Sequence, residues 1–213
     1  MMMAHITDDM LDALRERVRG MMSDKRYAHT CAVEQMAARL GALYCPDQIP
    51  ALRAAALLHD ITKEESLENQ LQLCEKFDIM VTAEDQLAPK TFHAKTAAAR
   101  IPLEFAEFAT ETVIGAVRWH TTGRADMTIC EQIVYLADYI DDTRKFVDCV
   151  RLRELFWGVD PASMPMEQRL SHLRDVLIVS FDMTVQGLLS DGAIISRDTI
   201  EARNHLLAQN IAN

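Results

Sequence analysis

Four of the seven histidines in this 213-residue chain stand where an imidazole could face an interior, and two aspartates accompany them. His59 and Asp60 follow a run of Ala and Leu from Ala51 to Leu58, broken only by Arg53. A neutral imidazole and a carboxylate at adjacent positions are two good ligands for one divalent ion. Lys63 comes one helical turn after His59, so its ammonium lies near whatever such an ion would hold. A lone His-Asp pair is common by chance, and the case rests on the other histidines. His29 shares a helical stripe with Ala32, Val33, Met36, Ala37 and Leu40, and His120 shares one with Val113, Ala116 and Val117. His93 precedes the apolar run Ala97-Ala98-Ala99, and Asp138 sits beside Ile133, Leu136, Ala137 and Ile140, with Asp141 one turn on. One histidine on such a stripe is more often a satisfied core residue than a ligand. Four with two carboxylates are harder to explain that way, because each unpaired buried polar group costs roughly 1–3 kcal/mol. Imidazole and carboxylate without thiolate favour iron, manganese, cobalt or zinc over a structural cysteine–zinc site. His5 is terminal, and His172 and His205 lie in a polar C-terminal third without a comparable acidic pattern.

The elements that must carry these residues read as helices. Thr7-Asp8-Asp9 opens a helix over 7–22, and Gly20 with Ser23-Asp24 ends it and restarts a clearer one to Tyr44. Cys45-Pro46-Asp47 breaks that helix, and the next runs from Ile49 to Asp60 with Pro50 at its start. Residues 64–90 are more polar and predict a connection with one or two helices. Thr91 is placed to cap a helix through Ala97–Ala99, and Pro102 is expected to interrupt it. A stretch from Phe105 to His120 follows; Thr121-Thr122-Gly123-Arg124 is a loop, and Ile133 to Ile140 lies on another helix. After Gly158, Pro161 and Pro165 a long helix carries Leu173, Val176, Leu177, Phe181, Thr184 and Leu188, read as cover for the core. Asp198-Thr199-Ile200-Glu201 has the form of a capping box.

Few glycines and prolines, 7 and 6, and 49% hydrophobic residues give an all-α reading of some eight to ten helices with a packed core. One domain is expected over residues 1–213, with a metal-binding core of about 23–155 and a C-terminal helical extension of about 156–213. A net charge of −10 argues against generic binding to nucleic acid or to an anionic membrane. An anionic small substrate remains compatible, since local cations and a metal decide that. Five cysteines without a C-x-x-C pair, and no secretory signal or spanning apolar stretch, give the expectation of a cytoplasmic protein.

The order His…His-Asp…Asp resembles that of the HD-domain metal-dependent phosphohydrolases, and the additional His93 and His120 match members that hold two metals. Arg26-Tyr27-Ala28-His29-Thr30, Leu58-His59-Asp60-Ile61-Thr62-Lys63, His120-Thr121-Thr122-Gly123-Arg124 and Ala137-Asp138-Tyr139-Ile140 are similar to segments of the YqeK family. The likeness covers about residues 23–155. It implies a single HD-domain helical bundle with additional C-terminal helices, a di-iron centre, and symmetrical hydrolysis of diadenosine tetraphosphate. Two departures stand out: Asp141-Asp142 where the family commonly has Glu-Pro, and Gln132 in place of a usual lysine.

On that resemblance Asp60 is expected to bridge two divalent ions, iron in the first place and manganese, cobalt or zinc as the alternatives. His29, His59 and Asp138 would complete one ion, and His93 and His120 the other. Paired ions about 3.5–4 Å apart can activate water near neutral pH and stabilise a transferring phosphoryl group. Asp60, Lys63 and Arg124 are the expected catalytic residues. Arg26, Lys63, Thr121, Thr122, Gly123, Arg124 and Arg144 are the expected substrate contacts. Blander readings stand beside these: Arg26 can pair with Asp24 or another carboxylate, and Thr121 to Gly123 can be no more than a helix stop. Three functions follow: cleavage of dinucleoside polyphosphate to two ADP, another HD-type hydrolysis of a nucleoside monophosphate or cyclic nucleotide, or a non-catalytic metal- or nucleotide-binding module. The expected partner is the nucleotide, with a homodimer as an option.

Overall fold

The computed structural model describes residues 6–211, so His5 lies outside the described residues. Eleven α-helices and four single 3-10 turns build the chain, with no strand among the described residues. That is the all-α class expected, with one helix more than the upper expectation. The helices are α1 (Asp8–Arg19), α2 (Asp24–Tyr44), α3 (Ile49–Leu58), α4 (Leu67–Lys76), α5 (Ala83–Leu87) and α6 (Phe92–Glu104). They continue with α7 (Glu111–Trp119), α8 (Ile129–Ile140), α9 (Val147–Trp157), α10 (Met166–Ser190) and α11 (Arg197–Ile211).

Side-chain oxygens fix several helix starts. Thr7, Ser23, Ser66, Thr110 and Thr128 each accept from a backbone N–H of the first turn, satisfying a donor that the helix itself cannot. Reciprocal capping boxes form at Thr82–Asp85 and Thr128–Glu131. The one read at Asp198 does not form: α11 begins at Arg197, which puts Asp198 inside its first turn. Thr91 precedes α6, but its hydroxyl donates backwards to the Ala88 carbonyl instead of capping. Pro102 does not end α6 either. Its missing N–H removes one bond of the ladder, and the ladder closes again at the Phe105 N–H to the Ile101 carbonyl, 2.9 Å.

Helices α2, α3, α7 and α8 pack around one apolar interior, with α1 laid against α3 and α6 against α7. Leu40, Leu52, Leu57, Ala116, Ile133 and Leu136 are fully buried there. Glu34 lies buried on α2 and is forked by Arg15 of α1 (2.8 Å) and Arg53 of α3 (2.9 Å). Losing either partner would leave a buried carboxylate under-compensated, so this polar clasp fixes the relative placement of three helices. No helix among the described residues is long and apolar enough to cross a membrane.

The helix stop after α7 has a second task. The Gly123 N–H reaches the Trp119 carbonyl at 2.9 Å, and Gly123 is left-handed with φ of +63°. A Cβ there would fall 2.7 Å from Phe181 of α10 and 3.0 Å from Ala202 of α11. Gly123 is therefore where the loop after His120 is clamped by the C-terminal helices. Gly123→Ala is expected to cost about 2–5 kcal/mol, from backbone strain and overpacking together. Thermal denaturation should show a midpoint lowered by roughly 5–15 °C; an unchanged midpoint would mean the clamp is soft.

Candidate metal centre

His59 and His120 are the residues immediately after α3 and α7, and both stay helical in backbone conformation. A carbonyl in the last turn of a helix has no intrahelical donor, and each imidazole supplies one. The His59 Nδ1 lies 2.6 Å from the Ala56 carbonyl and the His120 Nδ1 2.7 Å from the Val117 carbonyl. A carbonyl can only accept, so each Nδ1 carries the proton and each Nε2 presents a lone pair. A histidine one step beyond an apolar helix is thus pre-set as a ligand, and this arrangement occurs twice.

Asp60 is 3% exposed, and its two oxygens face different companies. Oδ2 lies 3.3 Å from His59 Nε2 and 3.9 Å from His29 Nε2. Asp138 Oδ1 joins that group, 2.9 Å from His29 Nε2 and 3.9 Å from His59 Nε2. Oδ1 of Asp60 lies 3.3 Å from His93 Nε2 and 3.7 Å from His120 Nε2, and those two nitrogens are 3.0 Å apart. The structure therefore brings all six sequence-derived ligand candidates together, with Asp60 between two sets.

The donors suit divalent metal. The buried Nε2 atom of His59, whose proton sits on Nδ1, has no hydrogen-bond partner among the described residues, although carboxylate oxygens are near. A buried imidazole lone pair facing carboxylate oxygens is placed as a ligand of a common third atom would be. Two groups, His29–His59–Asp138 and His59–Asp60–His120, each have ligand atoms within 4.8 Å of one another. Charge state agrees. Burial alone would raise the Asp60 carboxyl, but the imidazoles of His59, His120 and His93 hold it well below the usual range. Burial likewise opposes ionisation of Asp138, and His29 and Arg144 overcome it. Burial, with His120 and Lys63 adding to it, pushes His93 down, and burial lowers His120, so both imidazoles are neutral. His29 differs: burial alone would lower it, yet the facing carboxylates of Asp138 and Asp141 lift it to about 9. Binding an ion at that nitrogen therefore requires His29 to give up a proton.

Residues 26–143 match the model of the HD domain family. This chain belongs to the HD-domain family. The HD-domain chain is 31% identical to a Halalkalibacterium halodurans protein named bis(5'-nucleosyl)-tetraphosphatase, symmetrical, over 88% of this chain and 92% of that one. A Bacillus subtilis protein of the same name is 29% identical over 90% of this chain and 94% of its own length. Among solved structures, a predicted HD superfamily hydrolase involved in NAD metabolism from Clostridium acetobutylicum superposes with a TM-score of 0.79. It is 28% identical and spans 93% of this chain and 97% of that one. The HD domain thus accounts for α2 to α8, while the relatives extend the likeness through the C-terminal helices.

Cationic side chains surround the HD-domain centre unequally. Lys63 Nζ is 3.1 Å from His93 Nε2, and burial pushes its ammonium below the usual lysine value. The Arg26 guanidinium donates to Asp60 Oδ2 at 2.7 Å, so of the two carboxylate options it takes one other than Asp24. Arg144 donates to Asp138 Oδ1 at 2.5 Å. Thr121 Oγ1 lies 3.1 Å from His93 Nε2 and 3.0 Å from His120 Nε2, so the loop begins in contact with the ligand set. Thr122 turns its hydroxyl to the Gly123 carbonyl, and Gly123 serves the clamp described above. Arg124 is held by Glu131, 3.1 Å away, so its charge is engaged by the start of α8 instead of facing the centre. Sequence reasoning missed Asp141 as a contributor. Its fully buried carboxylate stands 3.3 Å from His29 Nδ1, and Thr143 Oγ1 lies 3.3 Å from the same nitrogen. Such partners orient a ligating imidazole and raise its basicity. The one available signal was its place a helical turn after Asp138.

Proposed function

We propose that this chain hydrolyses diadenosine tetraphosphate and related dinucleoside polyphosphates at the central phosphoanhydride, giving two ADP. The observation that carries this reading is Asp60, whose two oxygens each face a separate His/Asp set, in a chain similar along most of its length to symmetrical tetraphosphatases. His29, His59, Asp138 and Asp60 would hold one divalent ion, and His93, His120 and Asp60 the other, iron being the expected metal. Bound there, the ions would supply an activated water and neutralise charge on the phosphoryl oxygens.

The remaining work belongs to the chain's own residues. With His93 Nε2 committed as a ligand, the Lys63 ammonium loses that neighbour as an acceptor and becomes available to a phosphate oxygen. Arg26 and Arg144, paired here with Asp60 and Asp138, offset the charge of a polyanion arriving beside two carboxylates. Thr121 Oγ1 is placed to hydrogen-bond a phosphate oxygen next to His93 and His120. In the balanced reaction water adds to one central phosphorus, the P–O bond to the bridging oxygen breaks, and both ADP products leave with their phosphate protons equilibrated in solvent.

Chromatography of early time points, with diadenosine tetraphosphate and iron- or manganese-loaded protein, tests the reading. ADP should be the sole nucleotide product. AMP and ATP in equal amounts would mean attack at an outer phosphorus, and no turnover by metal-loaded protein would favour a binding module.

A further inference from the structure

His29 is oriented by a different device from His59 and His120. Those two follow the last turns of α3 and α7, where a free carbonyl takes the Nδ1 proton. His29 lies inside α2, whose carbonyls serve the helix ladder, so its Nδ1 turns to the segment after α8. Asp141 Oδ2 and Thr143 Oγ1 both stand 3.3 Å from that nitrogen. The Thr143 hydroxyl donates to Asp141 Oδ1, which leaves its lone pairs for the imidazole. Arg144 closes the same turn onto Asp138, reaching its carbonyl at 2.9 Å and its carboxylate at 2.5 Å. The turn from Asp141 to Arg144 thus holds both His29 and Asp138. One side chain of α9 holds the turn. Arg153 Nε donates to the Ile140 carbonyl at 2.8 Å, and Nη2 donates to the carbonyls of Asp141 and Arg144, the latter at 3.0 Å. The Asp142 carboxylate is exposed and 3.8 Å away, so the carbonyls fix Arg153 more firmly than any ion pair does.

We infer that Arg153 is a positioning residue for the His29–Asp138 half of the metal centre: it locks the Asp141–Arg144 turn and, through it, the His29 ring. This rests on the two-ion reading above. Ile140 ends α8, where the last carbonyls lack a helical donor and the helix dipole favours a cation. A planar guanidinium presents several N–H groups in a rigid fork, which lets one side chain span carbonyls at both ends of a turn. An ammonium is a single point and meets fewer of them. The turn's own backbone tie, from the Arg144 N–H to the Asp141 carbonyl, is long at 3.2 Å, so Arg153 is a main restraint on it. His93 and His120 make no contact with the turn among the described residues, and the effect is therefore confined to one half of the centre. Arg153 also lies beyond residues 26–143, which match the HD domain. A helix outside that domain thus helps to set the ligand geometry within it.

Arg153→Lys keeps the charge at the end of α8 but cannot span both ends of the turn, so the bundle should still fold. Calorimetric titration of the metal-free variant with manganese should show one of the two ions weakened by about 10–100-fold. The other should stay within about two-fold, whereas general damage to the bundle would weaken both. Thr143→Val deletes the hydroxyl beside His29 Nδ1. The double variant should bind the affected ion no more weakly than the weaker single variant, because both substitutions act through one imidazole nitrogen. Without metal, nitrogen-edited NMR should show the His29 Nδ1 proton protected from solvent exchange in the wild type, and that protection lost in Arg153→Lys. A wild type that takes up a single ion would refute the two-ion reading, and loss of the His29 protection would still support the role of Arg153. Unchanged affinity for both ions, equal weakening of both, additive effects of the two substitutions, or unaltered His29 protection would overturn it.

Discussion

Asp60→Asn is expected to remove both ions from the centre and to lower hydrolysis by on the order of 10³-fold or more. The substitution keeps the shape of the side chain and deletes the one charge that both histidine sets share. An amide can still accept a hydrogen bond from Arg26, now 2.7 Å from Oδ2, so the helices should remain folded. Circular dichroism should therefore show helical content near that of the wild type, while elemental analysis shows little metal. His93→Ala gives the useful contrast. It subtracts from one set only, so part of the metal should stay while activity is lost. Full metal occupancy and full turnover in Asp60→Asn would place the centre elsewhere.

Lys63→Ala carries the second large effect. Its ammonium sits within reach of His93 and lines a cavity of about 360 Å³ together with Lys90, and among the described residues no carboxylate closes on it as Glu131 closes on Arg124. Removing it should leave the metal content intact and lower kcat/KM by roughly 10²-fold, about 2.7 kcal/mol of transition-state stabilisation. Steady-state kinetics on fully loaded protein measures this. A loss confined to metal content would mean Lys63 supports the ligands, and unchanged kinetics would reduce it to a bystander.

The ligand candidates were legible because each lies on an apolar stripe or at the end of one. Helical periodicity reports which face is buried, and buried histidines are few enough for their convergence to stand out. Partner choice among arginines was not legible. Arg26 reaches Asp60, 34 positions away, and Arg124 is captured by Glu131, whose carboxylate also closes the capping box at Thr128. Such pairings depend on how helices cross, which spacing does not encode. Asp141 was passed over for a similar reason: its contact with His29 joins segments more than a hundred residues apart. The long helix α10 read as core cover, and Leu173, Val176, Leu177 and Phe181 are indeed buried. Its later residues Thr184 and Leu188 instead line a cavity of about 250 Å³ shared with Thr121 and Thr122, a placement that becomes visible only once the Gly123 loop is seen packed against Phe181.

The shared role of Asp60 is tested most directly by anomalous diffraction from crystals of manganese- or iron-loaded protein. The account predicts two peaks about 3.5–4 Å apart, one beside each carboxylate oxygen of Asp60. The first should be ringed by His29, His59 and Asp138, and the second by His93 and His120. A single peak, or two peaks of which only one touches Asp60, would contradict it.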